Sequence, residues 1–291
     1  AAFHRQWPGQ RGAQPLSADD ERSQFTAHLN KVIDDRIAAS PDGGIDAALL
    51  ELDRRQILKW ASHHFDHHQK YDRGCGKLGA AMAPTHLEFR FGSSRHDDAD
   101  ADPDSTNNAF VLDIAGEPIR VTGQIDRVDV GTLDGQTVFN VIDYKSGRRA
   151  SLKSDQIETG QQLQLPIYVE AAQLLLFNGE ATPLAAGYWS MGNGFDEKGA
   201  LAARKEGEPG PQWGATQAMV HGLIREFVDG IRKGDFPVAS RDDKCTSYCD
   251  FNLVCRISQA RNSGKTWWPD QAACGLAQNT PPSTGDPLGR G

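Results

Sequence analysis

Residues 123–147 read GQIDRVDVGTLDGQTVFNVIDYKSG. Two strand-like runs flank Leu133-Asp134-Gly135, a turn with hairpin chemistry. In an extended strand Asp143 and Lys145 are two apart and project to one face, while Tyr144 points to the packed side. An exposed carboxylate–ammonium pair contributes little to stability, but the run FNVID is too apolar for an exposed strand. The pair therefore emerges at the end of a buried strand. The hairpin can bring Asp126, on the preceding strand, beside Asp143. Two carboxylates this close repel unless a cation lies between them. Oxygen ligands with spare positions suit Mg²⁺ or Mn²⁺. A lysine beside them can position a water or stabilise charge developing on a phosphate, a set of groups suited to phosphodiester hydrolysis.

Working outward, residues 17–39 and 45–69 carry helical periodicity. Ser17 offers N-cap chemistry to the first, and Leu49, Leu52, Ile57, Trp60, Ala61 and Phe65 form an apolar face on the second. Residues 85–92, 109–116, 118–130 and 136–147 read as successive strands. A helix over 159–177, with Pro166 near its first turns, a strand over 183–191 and a helix over 217–236 follow; Phe236-Pro237 stops the last. The order predicts an α/β fold, a mixed central sheet flanked by helices. The acidic stretch 93–108, which includes Asp102, reads as a solvated loop, and residues 276–291 as a disordered tail.

The chain has 291 residues, enough for one large domain with extensions, and a net charge of −8, which argues against a general nucleic-acid coat protein. No apolar run approaches the ~18 residues of a membrane span, and no export signal is visible. Five cysteines, an odd count, suit a reducing compartment, so a cytoplasmic protein without membrane contact is expected. Cys245, Cys249 and Cys255 crowd into CTSYCDFNLVC (245–255), as thiolates must when they share a metal or cluster. The first residue is Ala, and a piece of a longer chain is expected.

The succession G-x-I-D-R-x-D (123–129), x-I-D-Y-K-x-G (141–147) and Q-L-P-I-Y (164–168) resembles the PD-(D/E)XK nucleases of the RecB/AddB branch. The resemblance covers roughly residues 85–256 and implies a restriction-endonuclease-like fold with metal-dependent DNA cleavage. On it, Asp126 is the first metal-binding aspartate, Asp143-Tyr144-Lys145 the D-x-K core, and Gln164 and Tyr168 the Q-x-x-x-Y pair that positions DNA. Mg²⁺ (or Mn²⁺) would be held by Asp126, Asp143 and the Tyr144 backbone. Arg127 and Arg148 belong to a basic track for phosphates. Cys245, Cys249 and Cys255 stand where such nucleases bind a [4Fe–4S] cluster, though C-x₃-C-x₅-C here replaces the usual C-x₂-C-x₅-C. The implied protein is an exonuclease domain partnered with a helicase subunit or helicase domain in double-strand-break repair. A stand-alone nuclease of CRISPR-associated type and a catalytically silent DNA-binding scaffold stay open.

Nothing near residues 1–20 matches the family's upstream metal-site histidine (or glutamate), His4 being the nearest candidate, and Cys75 is a substitute candidate for the fourth cluster ligand. The boundaries expected are a helical part (1–84), a nuclease core (85–240), a cysteine-bearing segment (241–275) and the tail (276–291). HHFDHHQK (63–70) reads as a solvated polar helix face, and Glu88 as a residue that helps orient the core or packs within it.

Overall fold

The structure, a computed structural model, describes residues 19–39, 45–92, 101–145, 151–196 and 211–235. Its elements are α1 (Asp19–Ala38), α2 (Ile45–Lys77), β1 (Ala81–Phe91), β2 (Phe110–Ile114), β3 (Glu117–Val121), β4 (Gly123–Leu133), β5 (Gln136–Lys145), α3 (Ser154–Glu158), α4 (Gln164–Leu175), β6 (Thr182–Ser190), β7 (Gly194–Phe195) and α5 (Pro211–Lys233). Five strands form one sheet in the order β1-β4-β5-β6-β7, and β2 pairs with β3 separately. The β5–β6 pair is parallel and its neighbours are antiparallel. This is the mixed sheet flanked by helices expected of the restriction-endonuclease-like class. Among the described residues no helix is long and apolar enough to cross a membrane.

The sheet is organised around β5. Val138 to Asp143 are buried without interruption, as a strand covered on both faces requires. Beneath one face, Tyr71 and Cys75 of α2 join Met82, Val138, Ile142 and Trp189 in one core cluster. On the other face Phe139 meets Phe177, just past α4, at 5.0 Å between ring centroids. The chain divides into two compact units, residues 1–157 with 161–217 and residues 158–160 with 218–291. The sheet lies in the first. Within the second, Gly160 at φ +71° admits the Phe227 ring so closely that a Cβ would lie 2.6 Å from it.

Three expectations are corrected. The run 118–130 is two strands, because the chain changes partner at Thr122: β3 pairs with β2, while β4 pairs with β1 and β5. Gly123 marks the switch, since a Cβ there would stand 2.8 Å from the Phe91 ring. The second helix runs on to Lys77, Tyr71 and Cys75 extending its buried face at an i,i+4 spacing. The first strand begins at Ala81, so residues 84 and 85 lie inside it; Pro84 sits at a register irregularity on an edge strand, where its missing N–H is tolerated.

Asp102 is not a solvated loop residue. It is 4% exposed, and its carboxylate accepts the Leu87 N–H at 2.8 Å and the Asp104 N–H at 3.0 Å. Thr106 N–H donates to the Arg90 carbonyl at 2.9 Å. Residues 102–106 thus cover the free edge of β1 and occupy its unpaired backbone groups.

Candidate active site

Asp126 lies on β4 and Asp143 and Lys145 at the end of β5, as the hairpin reading requires. The regular β4–β5 ladder stops at the Arg127–Ile142 pair. Past it, the Asp126 Oδ2 accepts the Tyr144 backbone N–H at 2.8 Å, so a side chain takes over from the main chain. On its other side the tip of β5 stays in register with β6, Asp143 opposite Tyr188, Tyr144 opposite Trp189 and Lys145 opposite Ser190. Lys145 Nζ lies 2.5 Å from Asp143 Oδ2 and 5.3 Å above the Tyr188 ring. Tyr188 was not singled out from sequence; its only signal was its place at the end of an apolar strand.

Glu88 on β1 adds a third carboxylate. It has φ +57°, a left-handed conformation that side chains rarely adopt. Gln124 Nε2 donates to its Oε2, and Arg90 Nε donates to Gln124 Oε1 at 3.0 Å. The electrostatic effect falls on Asp126, whose carboxyl is pushed up to about 6. Burial is the main cause; the charges of Asp143 and Glu88 add to it, while the Tyr144 N–H and Lys145 oppose it. Burial works against the Lys145 ammonium as well, but the Asp143 carboxylate, joined by Tyr188 and Asp126, holds the lysine above its ordinary value.

Oxygen donors in surplus, one of them reluctant to ionise without a cation, form a donor set that fits a hard divalent metal. Among the described residues, the trio of His, Cys, Asp or Glu groups with ligand atoms within 4.8 Å of one another lies elsewhere, at His86, Asp102 and Asp104. There the buried Asp102 carboxylate already serves the strand edge.

Gln164 and Tyr168 share one face of α4, with Gln164 Nε2 donating to the Tyr168 hydroxyl at 3.2 Å. Gln164 is exposed. The Tyr168 ring stands edge-on to Phe91 at 6.3 Å, beside Gly123 at the start of β4. Pro166 occupies the third helical position, where its missing N–H has no partner to lose.

Arg127 does not belong to a phosphate track. It is 1% exposed, and its Nε and Nη2 donate to the two Asp129 oxygens at 2.5 and 2.7 Å. Strand alternation explains this, since a residue next to Asp126 must face the opposite side of the sheet. The histidine run is corrected in the same way. Nε2 of His68, itself 1% exposed, stands 3.0 Å from Arg127 Nη1. The His64 imidazole is pushed down to about 3 by burial, helped by the nearby Arg127 and His67 charges. Cys75 packs in the core beneath the sheet, and burial, with the charge of Asp129, pushes its thiol up to about 12. It is an unreactive core thiol. Arg148, His4, Cys245, Cys249, Cys255 and residues 276–291 lie outside the described residues.

The model of the PD-(D/E)XK nuclease superfamily matches residues 2–256, a span that takes in every group of this site. The chain belongs to that superfamily. Relatives of this PD-(D/E)XK chain include three proteins named as the B-type subunit of an ATP-dependent helicase/deoxyribonuclease. That of Caldanaerobacter subterraneus subsp. tengcongensis is 43% identical over 72 residues, 25% of this chain and 6% of the relative. That of Desulforudis audaxviator is 35% identical over 113 residues, 38% and 9%. That of Clostridium botulinum strain Loch Maree is 46% identical over 57 residues, 20% and 5%. The matched stretches thus span less than a tenth of each relative's length.

Proposed function

We propose that this chain is the nuclease part of a helicase-associated deoxyribonuclease, an Mg²⁺-dependent exonuclease that processes DNA double-strand breaks. The observation that carries the reading is the meeting of Asp126, Asp143 and Lys145 where the β4–β5 ladder ends, with the Asp126 carboxyl pushed up to about 6. The relatives' name, which describes part of an ATP-dependent helicase/deoxyribonuclease, supports DNA as substrate and a helicase as partner.

Asp126, Asp143 and the Tyr144 backbone would hold the cation, which when bound supplies positive charge against the phosphate. Lys145, kept cationic by Asp143, orients the attacking water and faces the charge that develops on the phosphate oxygens. Gln164 and Tyr168 position the strand: the exposed amide offers donors to phosphate or base, and the phenol is fixed against Phe91. Cys245, Cys249 and Cys255 are a soft thiolate set suited to a [4Fe–4S] cluster, completed by a fourth ligand.

The test is degradation of linear DNA by the complete protein with Mg²⁺, compared with Asp143→Ala. The variant should lose cleavage and keep its circular dichroism spectrum. Undiminished cleavage by a folded Asp143→Ala protein would sink the assignment.

A further inference from the structure

Arg127 poses a question that stability does not answer. A charge buried in a core forfeits its hydration, and apolar residues of similar volume are often as stable. Yet this guanidinium is fully enclosed and uses its whole fork. Nε and Nη2 go to Asp129, Nη1 lies 3.0 Å from both the Tyr144 hydroxyl and His68 Nε2, and its flat faces meet Trp189 at 5.4 Å and Tyr71 at 5.8 Å. A guanidinium only donates, so Nε2 of His68 accepts and its ring proton sits on Nδ1. Asp129 and His68 thereby fix the fork in one orientation, aimed at Tyr144.

Tyr144 is the residue between Asp143 and Lys145. The β4–β5 ladder has ended one pair earlier, at Arg127–Ile142. Beyond that point two side-chain bonds from adjacent β4 residues tie the tip of β5 to β4. On the site face the Asp126 carboxylate accepts the Tyr144 N–H at 2.8 Å; on the opposite face Arg127 Nη1 donates to the Tyr144 hydroxyl at 3.0 Å. Of the two, the first engages the same carboxylate that would hold a cation. The second lies behind the sheet, away from the substrate side.

We propose that Arg127, oriented by Asp129 and His68, is a positioning residue that clamps Tyr144 from behind the sheet and so sets the spacing between Asp126 and the Asp143–Lys145 pair while Asp126 is drawn to a cation. This rests on the reading of Asp126 and Asp143 as metal-holding carboxylates. It assigns the buried arginine and aspartate of G-x-I-D-R-x-D to the geometry of the metal site, with no contact to DNA.

The test uses the complete protein with its helicase partner and three forms of it: wild type, Tyr144→Phe, and Arg127→Met with Asp129→Leu. The phenylalanine removes one hydroxyl, and the double variant replaces a buried ion pair by apolar groups, so that both keep a packed core. Mn²⁺ binding is measured by electron paramagnetic resonance without DNA, and backbone amide exchange is followed for the peptide spanning the end of β5. Both variants should bind Mn²⁺ about tenfold more weakly, as loss of a group that orients a metal ligand does. The tip of β5 should exchange faster while α2 and the rest of β5 keep wild-type protection. A merely structural role would instead lower protection throughout and leave Mn²⁺ affinity unchanged in the folded fraction. Wild-type Mn²⁺ affinity and tip protection in both folded variants would overturn the clamp. If the wild type itself neither binds Mn²⁺ nor cleaves DNA, it is the nuclease reading that fails.

Discussion

Removing the carboxylate beneath the sheet should be among the most damaging single changes to this protein. Asp129 and Arg127 are 0% and 1% exposed at the side chain, and two charge-assisted bonds of 2.5 and 2.7 Å join them. Asp129→Ala deletes both bonds and leaves a guanidinium in the core with Tyr144 and His68 as its neutral partners. Breaking a buried pair in this one-sided way costs about 3–5 kcal/mol, against a total stability on the order of 5–15 kcal/mol for a domain. Asp129→Asn keeps one acceptor and should cost less, roughly 1.5–3 kcal/mol for the single bond to a charged group. Arg127→Met combined with Asp129→Leu removes the stranded charge and should recover most of the loss. Urea denaturation followed by circular dichroism measures all three. An Asp129→Ala protein within about 1 kcal/mol of wild type, well below the cost of a stranded charge, would refute the reasoning, as would a double variant no more stable than the single one.

Replacing Gln164 by Ala and Tyr168 by Phe together should weaken DNA binding or turnover several-fold, measured by steady-state kinetics, with little change in melting temperature; a large drop in melting temperature with normal turnover would mean that the pair serves packing. A proton competes with the cation for Asp126, whose carboxyl titrates at about 6 because burial and the Asp143 and Glu88 charges raise it. Mn²⁺ affinity should therefore be flat above pH 6 and fall below it by about tenfold per pH unit as one proton must be displaced; calorimetric titrations giving equal affinity at pH 5 and pH 7.5 would contradict this. Anaerobically purified complete protein should carry iron and acid-labile sulfide in a 1:1 ratio, with Cys245→Ser losing both; stoichiometric zinc without sulfide would replace the cluster by a zinc site.

The placement of the candidate residues was legible where strand alternation and spacing carry it. Asp126, Asp143 and Lys145 could be placed from a hairpin turn and an apolar run, and Gln164 with Tyr168 from an i,i+4 interval and a proline. The same alternation, applied one residue further, puts Arg127 behind the sheet; its positive charge, which suits phosphates, outweighed its parity in the reading. The buried histidines were illegible for a related reason. HHFDHHQK is polar as a string apart from Phe65, and nothing in it shows that the Arg127 fork and the Trp189 ring, both distant in sequence, meet His68. The left-handed backbone of Glu88 had no signature in a strand-like run of residues. The split at Thr122 showed only as the glycine that follows it, since a strand that changes partners keeps its alternation through the change.

The parallel pairing of β5 with β6 has a consequence in time. Asp143, Tyr144 and Lys145 gain their second neighbouring strand only when Tyr188, Trp189 and Ser190 exist. On a ribosome that adds about 5–20 residues per second, the 45 positions that separate each of these residues from its partner take on the order of 2–9 s to synthesise. During that interval the nascent chain carries both acidic residues and the lysine but not the wall of β6, and α4, which bears Gln164 and Tyr168, emerges within the same window. Non-local strand pairing of this kind is slow to form. The tip of β5 that carries Asp143 and Lys145 thus gains its β6 neighbour late in synthesis, after the helical and hairpin parts have had time to fold.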